Sequence, residues 1–166
     1  MLRTDRLSLL FPVRPPLPDG RRACRYCGGP VPGRKICWCS QECVDEALIR
    51  CWPSEARRQV YKRDHGVCSA CGTDCGLIDR IGNKVYWSSH EWPDFGRHDW
   101  RRVLVQMGFG PPWHLWEADH IRPVVEGGGI CGLANLRTLC VPCHKSETKA
   151  LAGRRAKTRR RQLDLF

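Results

Sequence analysis

The densest chemistry in the chain lies between Trp116 and Lys149, WEADHIRPVVEGGGICGLANLRTLCVPCHKSETK. An Asp-His pair, Asp119 and His120, is followed by Asn135 and then by a Cys-x-x-Cys-His made of Cys140, Cys143 and His144. A second Cys-x-x-Cys, Cys68 and Cys71, lies upstream. Four thiolates fill the coordination shell of a tetrahedral zinc ion, and a full shell leaves no place for substrate, so such a site is structural. One carboxylate and two imidazoles remain. Carboxylate and imidazole suit a divalent cation at a partly open site. An imidazole also titrates near neutrality, which suits a general base. Activated water and a means of neutralising charge are what hydrolysis of a phosphodiester requires.

In type and order these residues resemble the HNH nucleases, specifically the form with a four-cysteine zinc site. His120, Asn135 and His144 match the three letters, and Asp119 stands just before the first histidine. The resemblance runs from Ser54 to about Lys149, somewhat over half the chain. It implies that Asp119 and His144 hold one Mg²⁺ or Mn²⁺ at the scissile phosphate, stabilising the leaving 3′ oxygen. It implies that His120, beside the ion but not bound to it, takes a proton from water. Asn135 would hydrogen-bond across the loop and fix the backbone that presents His120. The products would be a 5′ phosphate and a 3′ hydroxyl. A zinc deaminase needs His-x-Glu and Pro-Cys-x-x-Cys; here Pro123 lies three residues after His120 and Pro142 falls inside the cysteine pair, so that pattern fails. A reading from another class is a non-catalytic, zinc-stapled nucleic-acid-binding adaptor recruited to a sliding clamp. It predicts binding indifferent to His120→Ala and no cleavage with any metal.

The elements that must position these groups are short. Trp116 to His120 reads as a strand. Gly127, Gly128 and Gly129 permit a loop that other residues would resist. Ala134 to Leu139 is extended, and a helix starts near Val141 or Pro142, where proline is tolerated. The result is a ββα-metal unit whose second zinc pair comes from the turn at Cys68 and Cys71. Upstream, Pro53 and Ser54 open a helix over 52–65 that Gly66 ends. Residues 73–114 are the least readable; Asp94 to Gln106 is expected to be helical, and Trp87, Trp92, Trp100 and Trp113 either fill a core or stack on unpaired bases.

At 166 residues the chain is one domain or two small ones, too small for large cores. Twelve cysteines and no secretory signal at Met1–Phe11 point to zinc in a reducing compartment rather than to disulfides. No run reaches membrane-spanning length. A net charge of +11 favours a polyanionic partner. The fold class expected is small, zinc-stapled α+β: a ββα-metal, treble-clef-like nuclease domain at 52–153 after a small zinc finger at 24–51. In the finger, Cys24 and Cys27 flank a turn, and Cys39 and Cys43 follow. Ser40 serves as N-cap of the helix that carries Cys43, which favours Cys39 over Cys37 as third ligand. Residues 1–23, with Pro12, Pro15, Pro16 and Pro18, read as an extended arm.

Residues 154–166 form a basic tail. Arg154, Arg155, Lys157, Arg159, Arg160 and Arg161 can contact phosphates and would make affinity salt-sensitive. The last five residues, QLDLF, resemble bacterial sliding-clamp-binding peptides, with Gln162 bonding the pocket rim and Leu163, Leu165 and Phe166 filling apolar pockets. That resemblance implies a bacterial or phage protein, cytoplasmic and nucleoid-associated, acting on DNA during repair or replication.

Overall fold

The computed structural model of the chain describes residues 3–87, 96–111 and 113–163. Its elements are α1 (Arg3–Leu10), α2 (Gln41–Cys51), α3 (Pro53–Asp64), α4 (Cys75–Trp87), α5 (Arg97–Gln106), β1 (Trp116–His120), β2 (Leu136–Cys140) and α6 (Val141–Leu163). Short 3₁₀ turns occupy Val124–Glu126 and Leu133–Asn135. Among the described residues β1 and β2 form a single two-stranded sheet. The chain divides into two compact units, 1–62 with 120–136, and 63–119 with 137–166.

The first unit is built around thiols. Cys24, Val31 and Cys43 are buried, with Tyr26, Trp38 and Cys39 packed against them. Ser40 caps α2, accepting a hydrogen bond from the Cys43 amide at 3.3 Å. This satisfies one of the amides that a helix start leaves without a partner. The segment expected to be an extended arm is helical over Arg3–Leu10, and α1 packs on α2. Its prolines begin only at Pro12, so nothing breaks the helix before then. Leu7, Leu10 and Phe11, at helical spacing, are partly covered while Leu9 points outward. Phe11 sits 5.9 Å from Tyr26 and 6.2 Å from Trp38 between ring centres. Its carbonyl accepts a hydrogen bond from Arg25 Nε at 2.5 Å.

The second unit has the larger apolar core, including Val85, Leu104, Phe109, Leu115, Trp116, Leu139 and Val141. A hairpin-like turn carries Cys68 and Cys71: the Cys68 amide donates to Thr73 O and the Gly72 amide to Cys68 O, both at 2.9 Å. Gly72 has a φ of 75°, a left-handed conformation that glycine adopts without penalty. At the end of α3, Asp64 Oδ2 accepts from the amide and the hydroxyl of Thr138, at 3.2 and 2.9 Å. Thr138 is fully buried in β2, so one carboxylate oxygen supplies both of its donors with a partner. α4 and α5 pack together. The expected helix around residues 94–106 begins, among the described residues, at Arg97. Trp92 and the Trp87 side chain lie outside the described residues. α6 continues unbroken through the basic run to Leu163, and the side chains of Arg154 to Gln162 are exposed.

Candidate active site

Two groups of four thiols come together, Cys24, Cys27, Cys39 and Cys43 in the first unit and Cys68, Cys71, Cys140 and Cys143 in the second. Within each, all ligand atoms lie within 4.8 Å of one another. The sulfur separations are 3.5 Å for Cys27–Cys39, 3.3 Å for Cys39–Cys43 and 3.6 Å for Cys71–Cys140. A tetrahedron of Zn–S bonds of about 2.3 Å has edges of about 3.8 Å, so both groups fit a zinc ion. Cys39, not Cys37, completes the first group, as the Ser40 cap favoured.

The thiols within a group differ in acidity. Burial would raise Cys24, but backbone amides of Cys27, Cys39 and Tyr26 outweigh it and leave the thiol at about 6. The Thr73 hydroxyl and amide bring Cys71 down to about 6. Burial drives Cys43 up to about 12 and pushes Cys140 up strongly. Cys75, beside the second group, is pushed to about 12 by burial, and its Sγ donates to Leu115 O at 3.4 Å. It behaves as a packing residue.

Among the four residues singled out for chemistry, Asp119 and His144 belong to the second unit, and His120 and Asn135 to the first. Asp119 stands on β1 and His144 on the first turn of α6, with Asp119 Oδ1 and His144 Nε2 3.8 Å apart. Two metal–ligand bonds of about 2.1 Å span at most about 4.2 Å, so this pair can share one ion. The other Asp119 oxygen accepts from Arg137 Nε at 3.1 Å, and Arg137 reaches Glu147 at 3.5 Å. Arg137, on β2, thus ties the Asp119 carboxylate to a second acidic group one turn beyond His144. Glu117 pairs with His114 at 2.5 Å.

Asn135 ends the second 3₁₀ turn and clamps the loop after β1. Its Oδ1 accepts from the Arg122 amide at 2.9 Å, and its Nδ2 donates to Arg122 O at 3.2 Å and to Gly128 O at 3.0 Å. Its own carbonyl accepts from the Ile121 amide at 2.9 Å. Three amide hydrogen bonds from one side chain hold the backbone immediately after His120. Gly127 turns the loop at φ 87°, and a Cβ on Gly128 would collide with the Arg122 carbonyl oxygen.

Asp64, Arg122, Arg137 and Glu147 were not found by sequence reasoning. Arg137 and Glu147 lie within the motif, where the alternation of β2 and the i+3 step from His144 could have flagged them. Asp64 lies 74 residues from its partner Thr138, and no local spacing signals such a bond.

Residues 109–150 match the family model described as HNH endonuclease. The mouse protein named DNA annealing helicase and endonuclease ZRANB3 is 34% identical over 161 residues, covering 87% of this chain and 15% of that protein. The human protein of that name is 34% identical over 137 residues, 76% of this chain and 12% of its own. The chain therefore spans less than a sixth of the length of these relatives. A crystal structure of the human ZRANB3 HNH domain is 32% identical, covering 64% of this chain and 95% of that one, with a TM-score of 0.41.

Proposed function

This chain belongs to the HNH endonuclease family, and on that premise we propose that it is a metal-dependent endonuclease that hydrolyses DNA phosphodiester bonds, nicking or cutting according to DNA structure. The observation that carries the reading is the 3.8 Å approach of Asp119 and His144, a carboxylate and an imidazole poised to hold one Mg²⁺ or Mn²⁺. A bound divalent cation supplies charge neutralisation at the scissile phosphate. His120, the residue after Asp119, takes a proton from the attacking water as general base. Asn135, through its bonds to Arg122 and Gly128, keeps the backbone beside His120 in one conformation. Arg137 holds Asp119 with its carboxylate facing His144. The exposed cations from Arg154 to Arg161 on α6 add sequence-independent phosphate contacts. The matched relatives are each named DNA annealing helicase and endonuclease, and the endonuclease in that name agrees with the HNH endonuclease model matched at residues 109–150. Gln162–Phe166 is proposed to tether the chain to a sliding clamp, which would raise its local concentration at replication or repair sites.

The test is cleavage of supercoiled plasmid and of branched and flap DNA in Mg²⁺ or Mn²⁺, with His120→Ala in parallel. The variant is expected to bind DNA as the wild type does and to lose cleavage by at least about a hundredfold. If the wild type binds but cuts nothing with either metal, the non-catalytic adaptor is the correct reading.

A further inference from the structure

The second unit carries a cleft between α4 and α5 that the proposed chemistry does not use. Its volume is about 340 Å³, within the range of about 300–1,000 Å³ typical of ligand sites. The floor is apolar, formed by Val85, Leu104 and Leu115, all buried. Two half-buried indoles, Trp100 and Trp113, also line it. Asp79, Asn83 and Arg101 supply polar groups at the rim.

Two features mark the cleft as more than a gap in a small core. Trp113 has a φ of 69°, a left-handed conformation that a bulky residue keeps only where its surroundings enforce it. Gly82 on α4 leaves room for the Trp100 indole, since a Cβ there would collide with Trp100 Nε1. Arg101 lies 5.1 Å above the Trp113 ring, so a guanidinium and an indole already form one layer of a stack. The same Arg101 also lines a neighbouring groove along α5, together with His98, Arg102 and Gln106. An aromatic slot opening beside a groove with cations matches a base attached to a phosphate chain, and the net charge of +11 favours that polyanion.

We propose that this cleft takes an unpaired nucleobase from a single-stranded arm of DNA, held between Trp100 and Trp113 while Arg101 meets the adjoining phosphate. The proposal rests on the endonuclease reading for its choice of DNA and names the class of substrate, DNA with an unpaired segment. A fully paired duplex keeps its bases stacked inside and has nothing to offer the slot.

The experiment measures binding without cleavage, using the zinc-loaded full chain in magnesium-free buffer. The probes are a forked DNA with 2-aminopurine in its single-stranded arm and a fully paired duplex of the same sequence. Wild type is expected to quench the 2-aminopurine. Trp113→Ala is expected to abolish the quenching and weaken fork binding about tenfold, while duplex binding changes less than about twofold. Zinc content checks that the variant is folded. If it is not, Asn83→Ala, at an exposed rim position, decides instead, with fork binding expected to weaken about threefold. Fork binding unchanged in the deciding variant, or fork and duplex weakened equally, overturns the proposal. Plasmid cutting without fork preference removes the base slot and leaves the nuclease. Fork preference that depends on Trp113 in a chain that cuts nothing removes the nuclease and leaves the slot.

Discussion

Asp64 gives the second unit an acid-sensitive contribution to stability. The Arg63 guanidinium holds its carboxyl below the usual range against the opposing pull of burial, and Thr138 adds to the lowering. A folded-state pKa below the unfolded value of about 3.9 contributes stability that is complete above that value. It is lost as the pH falls through the lowered pKa. Asp64→Ala leaves the buried amide and hydroxyl of Thr138 without their acceptor, which costs about 1–3 kcal/mol. Urea unfolding in excess zinc is expected to show this deficit at pH 7 and to show it narrowing below about pH 4. Equal midpoints at pH 7 would remove Asp64 from any structural role. The motif residues were legible because they sit at fixed spacings inside 34 contiguous positions. Asp64, by contrast, acts across a separation that no window along the chain can span.

At the level of elements, β1 and the start of α6 fall where alternation and the proline at its second position placed them, Trp116–His120 and Val141. Ser40 resolved the choice between Cys37 and Cys39 for the same reason: a cap residue fixes where the helix starts, which sets Cys39 just before it and Cys43 in its first turn. α1 was missed because four prolines dominate the composition of the first twenty residues, although none precedes position 12. α4 was missed because glycines at positions 76 and 82 interrupt its apolar pattern. The loop after β1 gives the sharpest test at this scale. Gly128→Ala must move backbone, because the Arg122 carbonyl cannot rotate aside as a side chain can. DNA cleavage is expected to fall more than about tenfold with zinc content unchanged. Gly129→Ala, whose Cβ would meet only Val124 Cγ1 at 3.3 Å, is expected to keep most activity. Equal activity in the two variants would show that the Asn135 clamp does not matter to the reaction.

For the whole molecule, two four-thiol groups that fit zinc stand where a large apolar core stands elsewhere. The first unit buries few large side chains around its thiols, and structural zinc sites contribute of order 10–16 kcal/mol to folding. Zinc chelation is expected to melt the protein as followed by circular dichroism, and excess Mg²⁺ alone should not restore the signal. A chain that keeps its fold without zinc would show that the eight clustered thiols are not ligands. No described helix is long and apolar enough to cross a membrane. The chain matches only a small fraction of its long relatives, 15% of the mouse protein and 12% of the human one.

The continuous α6 also fixes a distance. It begins at Val141, carries His144 in its first turn and holds the basic run in its last turns, all on one 23-residue rod. At about 1.5 Å per residue, the cations around Arg160 stand about 24 Å along the axis from His144. That span corresponds to about seven base pairs at 3.4 Å each. A flexible tail would let charge and chemistry meet the backbone at any offset. On the proposed nuclease reading, a rigid one registers them, so a cut would fall at a set distance from where the helix meets the phosphates.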